Sequence, residues 1–334
     1  MTGGKSQPAP TTGEAGEDKS QPSVDPRAQY RQALVELAEQ DERVLCLDSD
    51  MGGLAETFGA RFPDRYINVG IAEANMFGLA AGLAARGFLP YAHTMAAFAT
   101  MRAAEQLKLD LVGNGLPVRV VATHGGLSAA HFGTSHYALE DLAVVRALGD
   151  ITVVVPGDAR EIGPALRAVH AVPGPVYLRL GRSATPALPG DAAGFDLGRA
   201  VSMRPGTDVA IIAIGPQPAH LSLAAAEELA AAGVSAHVLR IHTLIPLDAE
   251  GVLAAARSTR GLVTVEEHRP AGGLGDAVAE VVAAHHPVLH IRIAVTGRVG
   301  TVVLGHLAAL ESAGVSTAAI RDAAARVLTT NRER

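Results

Sequence analysis

The sequence contains one cysteine, no cluster of basic residues and no long apolar run. The single thiol, Cys46, lies in the apolar segment "RVLCLD", so we expect a buried thiol in a reduced compartment rather than a disulfide. Lys and Arg are scattered and the formal net charge is −6, which argues against a nucleic-acid partner. Because no secretory h-region or membrane-spanning segment is visible, we expect a soluble, cytoplasmic protein without a membrane partner.

The sequence also lacks a G-x-G-x-x-G motif after its first predicted strand, and this disfavours a nicotinamide-dependent dehydrogenase. Its 334 residues, 48% of them hydrophobic, are enough for two domains with full cores. Residues 1–24 are rich in Gly, Pro, Ser, Thr and charge and offer almost nothing to bury. We therefore expect a disordered tail there.

Helix and strand patterns alternate after the tail. The segment "PRAQYRQALVELAEQ" predicts a helix, "RVLCLD" predicts a strand, and the alternation continues to about residue 181. We predict a doubly wound α/β domain over residues 25–188, with a mostly parallel sheet whose strands lead into "LDSD", "THGG" and "PGD" at one edge. Beyond a linker rich in Pro and Gly, residues 195–330 predict a second, smaller α/β domain of four strands and four helices.

Glu73 is the single carboxylate in "YINVGIAEANMFGLAAGLAARG", a segment of mostly small and apolar residues. An ionised carboxylate that is buried without a partner costs several kcal/mol, so Glu73 needs a specific hydrogen-bond partner. Backbone amides at a helix N-terminus are one possible partner. A ligand is the other, and in that case Glu73 is a catalytic residue.

The chain resembles the carboxyl-terminal half of transketolases in five segments: "NVGIAEANM", "VVATHGGLSAAHFGTSHYALEDLAVVRAL", "ITVVVPGDAREIGPAL", "GPVYLRLGRS" and "VTVEEHRPAGGLGDAVAEVV". The resemblance runs from about Arg27 to the end, and it is to the separate C-terminal subunit of transketolases that are split into two chains. It implies that residues 25–188 form the pyrimidine-binding domain of a thiamine diphosphate enzyme. Residues 195–330 then form a transketolase C-terminal-like domain.

The resemblance implies a cofactor site around Glu73. In the family, the glutamate of this motif binds ring atom N1′ of the aminopyrimidine and favours its imino tautomer, which deprotonates C2 of the thiazolium. Phe98 matches the aromatic residue that stacks on the pyrimidine. Four further positions match residues close to the cofactor rings: Asp50, Met51, Met95 and Met101. The two methionines replace aromatic residues of the family, and the alternative is that they form, with Phe98, the core stripe of one helix.

Two histidines and two arginines match the family's substrate channel. His124 and His136, twelve residues apart around a glycine-rich loop, coincide with histidines that contact the donor, and imidazole can donate or accept a proton near pH 7. Arg182 and Arg27 fall where the family binds a sugar phosphate. His93 replaces a small residue and is either a core histidine or a substrate donor.

Three further positions depart from the family pattern. Between the two histidines the family has Gly-Glu-Asp-Gly, whereas this chain has "AHFG", so that His131 and Phe132 replace carboxylates. Leu54 likewise replaces a phosphate-binding serine. Because phenylalanine cannot accept a hydrogen bond from a sugar hydroxyl, we expect a substrate that is less hydroxylated at that point than an ordinary pentose phosphate.

The resemblance also implies a second chain. Related enzymes bind the cofactor's diphosphate through a metal ion held by a Gly-Asp-Gly stretch with a downstream Asn, and this sequence has no such stretch. We therefore assign no metal ligand to this chain and expect an N-terminal, diphosphate-binding subunit to hold the Mg²⁺, in an α2β2 heterotetramer. The helix after Glu73 has few charges, which suits burial against another subunit, although a core helix has the same pattern.

The function implied is transfer of a two-carbon ketol unit from a ketose, which can be phosphorylated, to an aldehyde acceptor. Three alternatives remain open at this point. Two are enzymes of the same architecture: the beta subunit of a 2-oxo acid dehydrogenase and a 1-deoxyxylulose-phosphate synthase-like enzyme. The third is a non-catalytic scaffold subunit that kept the fold.

Overall fold

The structure is a computed structural model that describes residues 24–190, 194–300 and 304–330. The tail predicted for residues 1–24 lies outside the described residues, apart from Val24, whose backbone forms a bridge with Thr185. Among the helices of the described ranges, none is both long enough and apolar enough to cross a bilayer.

The strands of the described residues are, in chain order, β1 (Val44–Asp48), β2 (Tyr66–Asn68), β3 (Leu89–Met95), β4 (Arg119–Thr123), β5 (Thr152–Val154), β6 (Val176–Arg179), β7 (Val201–Arg204), β8 (Val209–Ile214), β9 (Ala236–Ile241), β10 (Thr243–Ile245), β11 (Leu262–Glu266) and β12 (His290–Ile293). The α-helices are α1 (Pro26–Gln40), α2 (Glu73–Ala85), α3 (Ala96–Met101), α4 (Ala104–Gln106), α5 (Asp141–Leu148), α6 (Ile162–His170), α7 (Pro216–Ala231), α8 (Ala249–Ser258), α9 (Leu274–His285), α10 (His306–Ser312) and α11 (Thr317–Thr330).

The first sheet has, within the described residues, seven strands in the order β10-β5-β6-β4-β3-β1-β2. Its strands run parallel except β10, which is antiparallel to β5. The strands β1, β4 and β6 are buried along their whole length because helices cover both faces, as continuous apolar runs predict. The loops after β1, β4 and β5 therefore lie at one edge of the sheet, which confirms the predicted edge.

The second sheet has five strands in the described part of the chain, in the order β12-β11-β8-β9-β7. The prediction of four strands and four helices was wrong, because β7 forms an additional antiparallel edge strand and five helices, α7–α11, surround or follow the sheet. Residues of β7 are partly exposed, so the strand carries no continuous apolar run that a sequence pattern would detect.

The segment "SAHVLRIHTLIPLD" is divided between the two sheets. Strand β9 ends at Ile241, and β10 pairs with β5 of the first sheet. A buried ion pair between Arg240 and Glu161 lies close to this crossing. The two predicted regions are therefore joined by backbone pairing as well as by side chains.

The core of the first sheet contains a histidine and the single cysteine. His93 is buried, shares a hydrogen bond with the hydroxyl of Tyr30 and places Nδ1 2.9 Å from the carbonyl oxygen of Leu47. It is therefore a core histidine and not a substrate donor. Cys46 is a buried free thiol, and burial raises its pKa well above the usual value, as expected of an unreactive side chain.

Candidate active site

Glu73 is the first residue of α2 and its side chain is 3% exposed. Its Oε1 accepts hydrogen bonds from Arg102 Nη1 at 3.0 Å and from Thr94 Oγ1 at 3.5 Å. Both donors are side chains that come from the end of β3 and from the residue after α3. The buried carboxylate is thus satisfied by side chains of the site and not by the backbone amides of its own helix.

Phe98 lies on α3, and Arg102 contacts both its ring and this carboxylate. The guanidinium carbon of Arg102 lies 3.8 Å from the centroid of the Phe98 ring, so the cation stacks on the ring. The imidazole of His136 approaches the same ring edge-on, with centroids 5.2 Å apart and planes at 68°. Phe98 therefore links the carboxylate at the start of α2 to the histidine loop.

Phe132 is the centre of a cluster of rings and cations in that loop. It is 47% exposed. Its ring centroid lies 4.9 Å from that of His136, and Arg182 places its guanidinium carbon 6.0 Å from the same centroid. The other imidazoles around it are those of His131, at 4.0 Å, and His124, at 6.3 Å.

His124 follows β4 and is held as a neutral imidazole. Burial lowers its pKa to about 4, and the positive charges of Arg27 and Arg182 act in the same direction. Its Nδ1 lies 2.9 Å from the hydroxyl of Thr123, and its backbone has a positive φ of 59°. A neutral imidazole at this position can accept or share a proton with a bound substrate.

The cluster has a positive electrostatic character. Partial burial lowers the pKa of Arg182, and the neighbouring charge of Arg27 lowers it too. Arg27 itself pairs with its helix-capping neighbour Asp25, whose Oδ1 lies 3.5 Å from the guanidinium Nε. The charge of Arg27 disfavours the charged form of Arg182, and such a positive environment favours an anionic ligand.

Four of the residues predicted to bind the cofactor take part in none of the contacts described above around Phe98 and Phe132. Asp50 and Met51 lie in the loop after β1, where Asp50 has a φ of 66° and Met51 donates its backbone N–H to Asp48 Oδ1 at 2.9 Å. Met95 is the last residue of β3, and Met101 is 56% exposed. The alternative of one helical core stripe is therefore wrong.

Two members of the site were missing from the sequence interpretation, Arg102 and Thr94. Arg102 lies four residues after Phe98, a spacing that places two side chains on the same helical face. That spacing was the available signal. Leu54 is buried in the core below α1 and offers no polar group to a ligand. Within the described ranges, no three His, Cys, Asp or Glu side chains are grouped so that they could hold a metal ion.

Family models match the chain in two places. Residues 23–187 match the model described as "Transketolase, pyrimidine binding domain". Residues 198–320 match "Transketolase, C-terminal domain".

Two curated relatives and one solved structure are similar over most of the chain. The 6-deoxy-6-sulfo-D-fructose transketolase subunit SqwH of Clostridium sp. (strain MSTE9) is 39% identical over 83% of this chain and 87% of that protein. One of the subunits of the apulose-4-phosphate transketolase of Phocaeicola vulgatus is 34% identical over 77% of this chain and 83% of that protein. A structure titled "Split gene transketolase, inactive beta4 tetramer" is 37% identical, covers 92% of this chain and 99% of that chain, and has a TM-score of 0.84.

Proposed function

The chain belongs to the transketolase family, and we propose that it is the C-terminal subunit of a two-chain transketolase that depends on thiamine diphosphate. The enzyme transfers a two-carbon ketol unit from a ketose to an aldehyde acceptor. The observation that carries the proposal is the buried carboxylate of Glu73, joined through Arg102 to the ring face of Phe98, at the edge of the sheet where the strands end. The similarity to split transketolase subunits over more than four-fifths of their length supports it.

The residues present fit the aminopyrimidine part of the cofactor. A planar, cationic N–C–N group, the guanidinium of Arg102, already stacks on Phe98 and donates to Glu73, so the pair accepts a flat nitrogen-bearing group of this kind. When bound, thiamine diphosphate supplies the carbon nucleophile and the electron sink for breaking a carbon–carbon bond. Glu73 would hold a proton at the pyrimidine ring nitrogen, and Phe98 would orient the ring.

The histidines are proposed to handle protons on the substrate. His124, neutral because it is buried among cations, is suited to share a proton with the donor's carbonyl or hydroxyl oxygen. His136 lies between the rings of Phe98 and Phe132, and therefore between the cofactor site and the cluster that faces the substrate. Its position suits proton transfer at the reacting carbon.

The substrate is proposed to be a ketose with a terminal anion and few hydroxyls near Phe132. Arg182 and Arg27 favour the anion, with His131 beside them. The ring of Phe132 offers no acceptor for a hydroxyl, so a hydroxyl held against it would lose a hydrogen bond. Relatives named for a sulfo-fructose and for apulose 4-phosphate support a specialised, anionic substrate.

The partner is proposed to be an N-terminal, diphosphate-binding subunit that also holds Mg²⁺, in a cytoplasmic α2β2 heterotetramer. An apolar surface supports this assembly. Its exposed large hydrophobic residues lie just before α2, on α2, on α3 and on the helical turn after α4, and they are Ile71, Leu79, Met101 and Leu109 in that order. After Glu73, α2 carries no charged residue. Such a surface next to Glu73 suits a chain that completes the cofactor site.

The proposal is tested by reconstitution. The chain is co-purified with the product of a neighbouring gene that encodes a diphosphate-binding subunit, supplied with thiamine diphosphate and Mg²⁺, and screened against ketose donors. We expect ketol transfer by the pair and none by this chain alone. Normal transketolase rates with xylulose 5-phosphate and ribose 5-phosphate would refute the specialised substrate.

The same reconstituted pair distinguishes the alternatives. Reduction of a lipoyl domain would indicate a 2-oxo acid dehydrogenase, and consumption of pyruvate would indicate a 1-deoxyxylulose-phosphate synthase-like activity. Stable assembly without turnover of any ketose donor would favour a scaffold subunit.

A further inference from the structure

Arg102 makes, at the same time, both contacts that the proposed cofactor site offers to an aminopyrimidine. Its guanidinium carbon lies 3.8 Å from the centroid of the Phe98 ring, and its Nη1 lies 3.0 Å from Oε1 of Glu73. A guanidinium and an aminopyrimidine are both flat and both present nitrogen to a carboxylate. The two groups therefore require the same ring and the same carboxylate.

Phe98 has only limited room for both groups. It is half-buried and packs against the core of the first sheet, and the imidazole of His136 covers its edge. The face on which the guanidinium lies is thus the face that a ligand would use. The guanidinium and an aminopyrimidine cannot bind at the same time, because two flat groups cannot lie on one ring face and reach one buried carboxylate together.

Arg102 is free to leave this position without disturbing the core. It follows the last residue of α3, its backbone N–H bonds to the carbonyl of Phe98, and its side chain is 48% exposed. In the described part of the chain, Glu73 and the Phe98 ring are the contacts shown for its guanidinium. The guanidinium is partly exposed, so a ligand that supplies the same hydrogen bond to the buried Glu73 can take its place.

The contact with Arg102 also stabilises the folded chain before the coenzyme binds. A buried carboxylate without a counter-charge is strongly destabilising, and Arg102 supplies that charge to Glu73. The contact thus stabilises the coenzyme-free subunit and at the same time opposes the coenzyme. Removing the arginine should therefore lower the stability of the coenzyme-free subunit and raise its affinity for the coenzyme.

We propose that Arg102 is an internal competitor of the aminopyrimidine, which holds the Glu73–Phe98 site in the coenzyme-free subunit and leaves it when the coenzyme binds. This inference rests on the proposed function, since it assumes that the site receives an aminopyrimidine. It adds that loading of the coenzyme is coupled to a movement of one side chain of this subunit.

The test measures thiamine binding by isothermal titration calorimetry to the chain reconstituted with its diphosphate-binding partner, because the proposed site is complete only in that assembly, together with thermal unfolding of the unliganded chain. We expect Arg102→Ala to bind thiamine about tenfold more tightly than the wild type and to unfold at a lower temperature. Methylguanidinium should compete with thiamine in Arg102→Ala because it refills the same position. Arg102→Met, which keeps an apolar stem over Phe98 but no donor, replaces Arg102→Ala if that variant fails to fold.

The matched control is Arg86→Ala, which removes an exposed arginine after α2 and should leave both measurements unchanged. Arg102 variants that bind thiamine no better than the wild type, whether or not binding is detectable, overturn the proposal. Glu73→Ala distinguishes failure of the competitor from failure of the coenzyme site. Loss of thiamine binding in Glu73→Ala without any gain in Arg102→Ala overturns the competitor alone, whereas unchanged binding in Glu73→Ala overturns the coenzyme site and the competitor with it.

Discussion

The ring of Phe132 packs against the imidazole of His136, with their centroids 4.9 Å apart. An apolar ring thus lies at the centre of a group of cations and imidazoles, at a position where the resemblance to transketolases leads one to expect a carboxylate. Because the ring carries no charge, it does not neutralise the nearby guanidinium of Arg182. We regard this pair as the feature that separates the proposed substrate from an ordinary sugar phosphate.

Phe132→Asp should shift the substrate preference of the reconstituted enzyme towards hydroxylated ketoses. The new carboxylate accepts a hydrogen bond from a hydroxyl that the phenyl ring leaves unpaired, a difference of about 1 to 3 kcal/mol, or roughly 5- to 150-fold in kcat/KM. The measurement is the ratio of kcat/KM for xylulose 5-phosphate to that for the native donor. Phe132→Leu, which stays apolar, should keep the wild-type ratio; a ratio that rises equally in both variants would contradict the account.

Arg182→Ala should raise KM for an anionic donor with a smaller effect on kcat. A charge-assisted hydrogen bond contributes about 1.5 to 3 kcal/mol, which corresponds to roughly 10- to 150-fold in KM. Steady-state kinetics at low and high salt check this, since the wild type should be the more salt-sensitive. Arg61→Ala removes an exposed arginine that pairs with Glu39 and serves as the control. An unchanged KM in Arg182→Ala would remove the anion site from the account.

His124→Gln should make the protein less sensitive to acid. The pKa of His124 is lowered from 6.5 in the unfolded chain to about 4 in the folded one, so the unfolded chain binds more protons between these values. The stability that comes from the neutral imidazole is therefore present above pH 6.5 and is lost as the pH falls through 4, by on the order of 3 kcal/mol.

Denaturant unfolding between pH 7 and pH 4 measures this difference. The slope of unfolding free energy with pH should be smaller in His124→Gln than in the wild type. Part of the slope remains, because burial also lowers the pKa values of His242 and His290 to about 4. His285→Gln, at an exposed position, is the control; equal slopes in the wild type and His124→Gln would contradict the prediction.

Removing one partner of the ion pair between Arg240 and Glu161 should be strongly destabilising. Both side chains are buried, and Oε2 of Glu161 also accepts a hydrogen bond from the backbone N–H of Gly157 at 2.7 Å. Glu161→Gln or Arg240→Met leaves a buried charge unpaired and should cost about 3 to 5 kcal/mol. Changing both together should cost less than the sum, and the exposed pair Arg61–Glu39 should cost less than about 1 kcal/mol. Strictly additive losses would show that the pair is not coupled.

The helices and strands around the site were predictable because their signals are local. Asp25 caps α1, where its carboxylate accepts the backbone N–H of Arg27 at 2.9 Å, and Pro26 begins the helix. Continuous apolar runs in β1 and β4 fix strands that are buried on both faces, and their parallel order brings the following loops together. The short strands β7 and β10 were missed because partners distant in the chain decide their pairing.

The site was predictable only in part. Glu73 stood out because a lone acid in an apolar segment requires a partner. The partner in the structure is Arg102, which the sequence does not distinguish from an ordinary surface arginine. Its spacing of four residues from Phe98 places the two side chains on one helical face, but that spacing does not identify Glu73 as its partner. The alternative that placed Met95 and Met101 on one helical stripe failed because the boundary between β3 and α3 falls directly after Met95.

The most direct test of the central claim is the turnover of the reconstituted enzyme with Glu73→Gln. If Glu73 holds a proton at the cofactor's ring nitrogen, turnover should fall by about 10²- to 10⁴-fold while the two subunits still assemble. Glu105→Gln, an exposed acid on α4, should retain wild-type turnover. Wild-type turnover in an assembled Glu73→Gln enzyme would contradict the account.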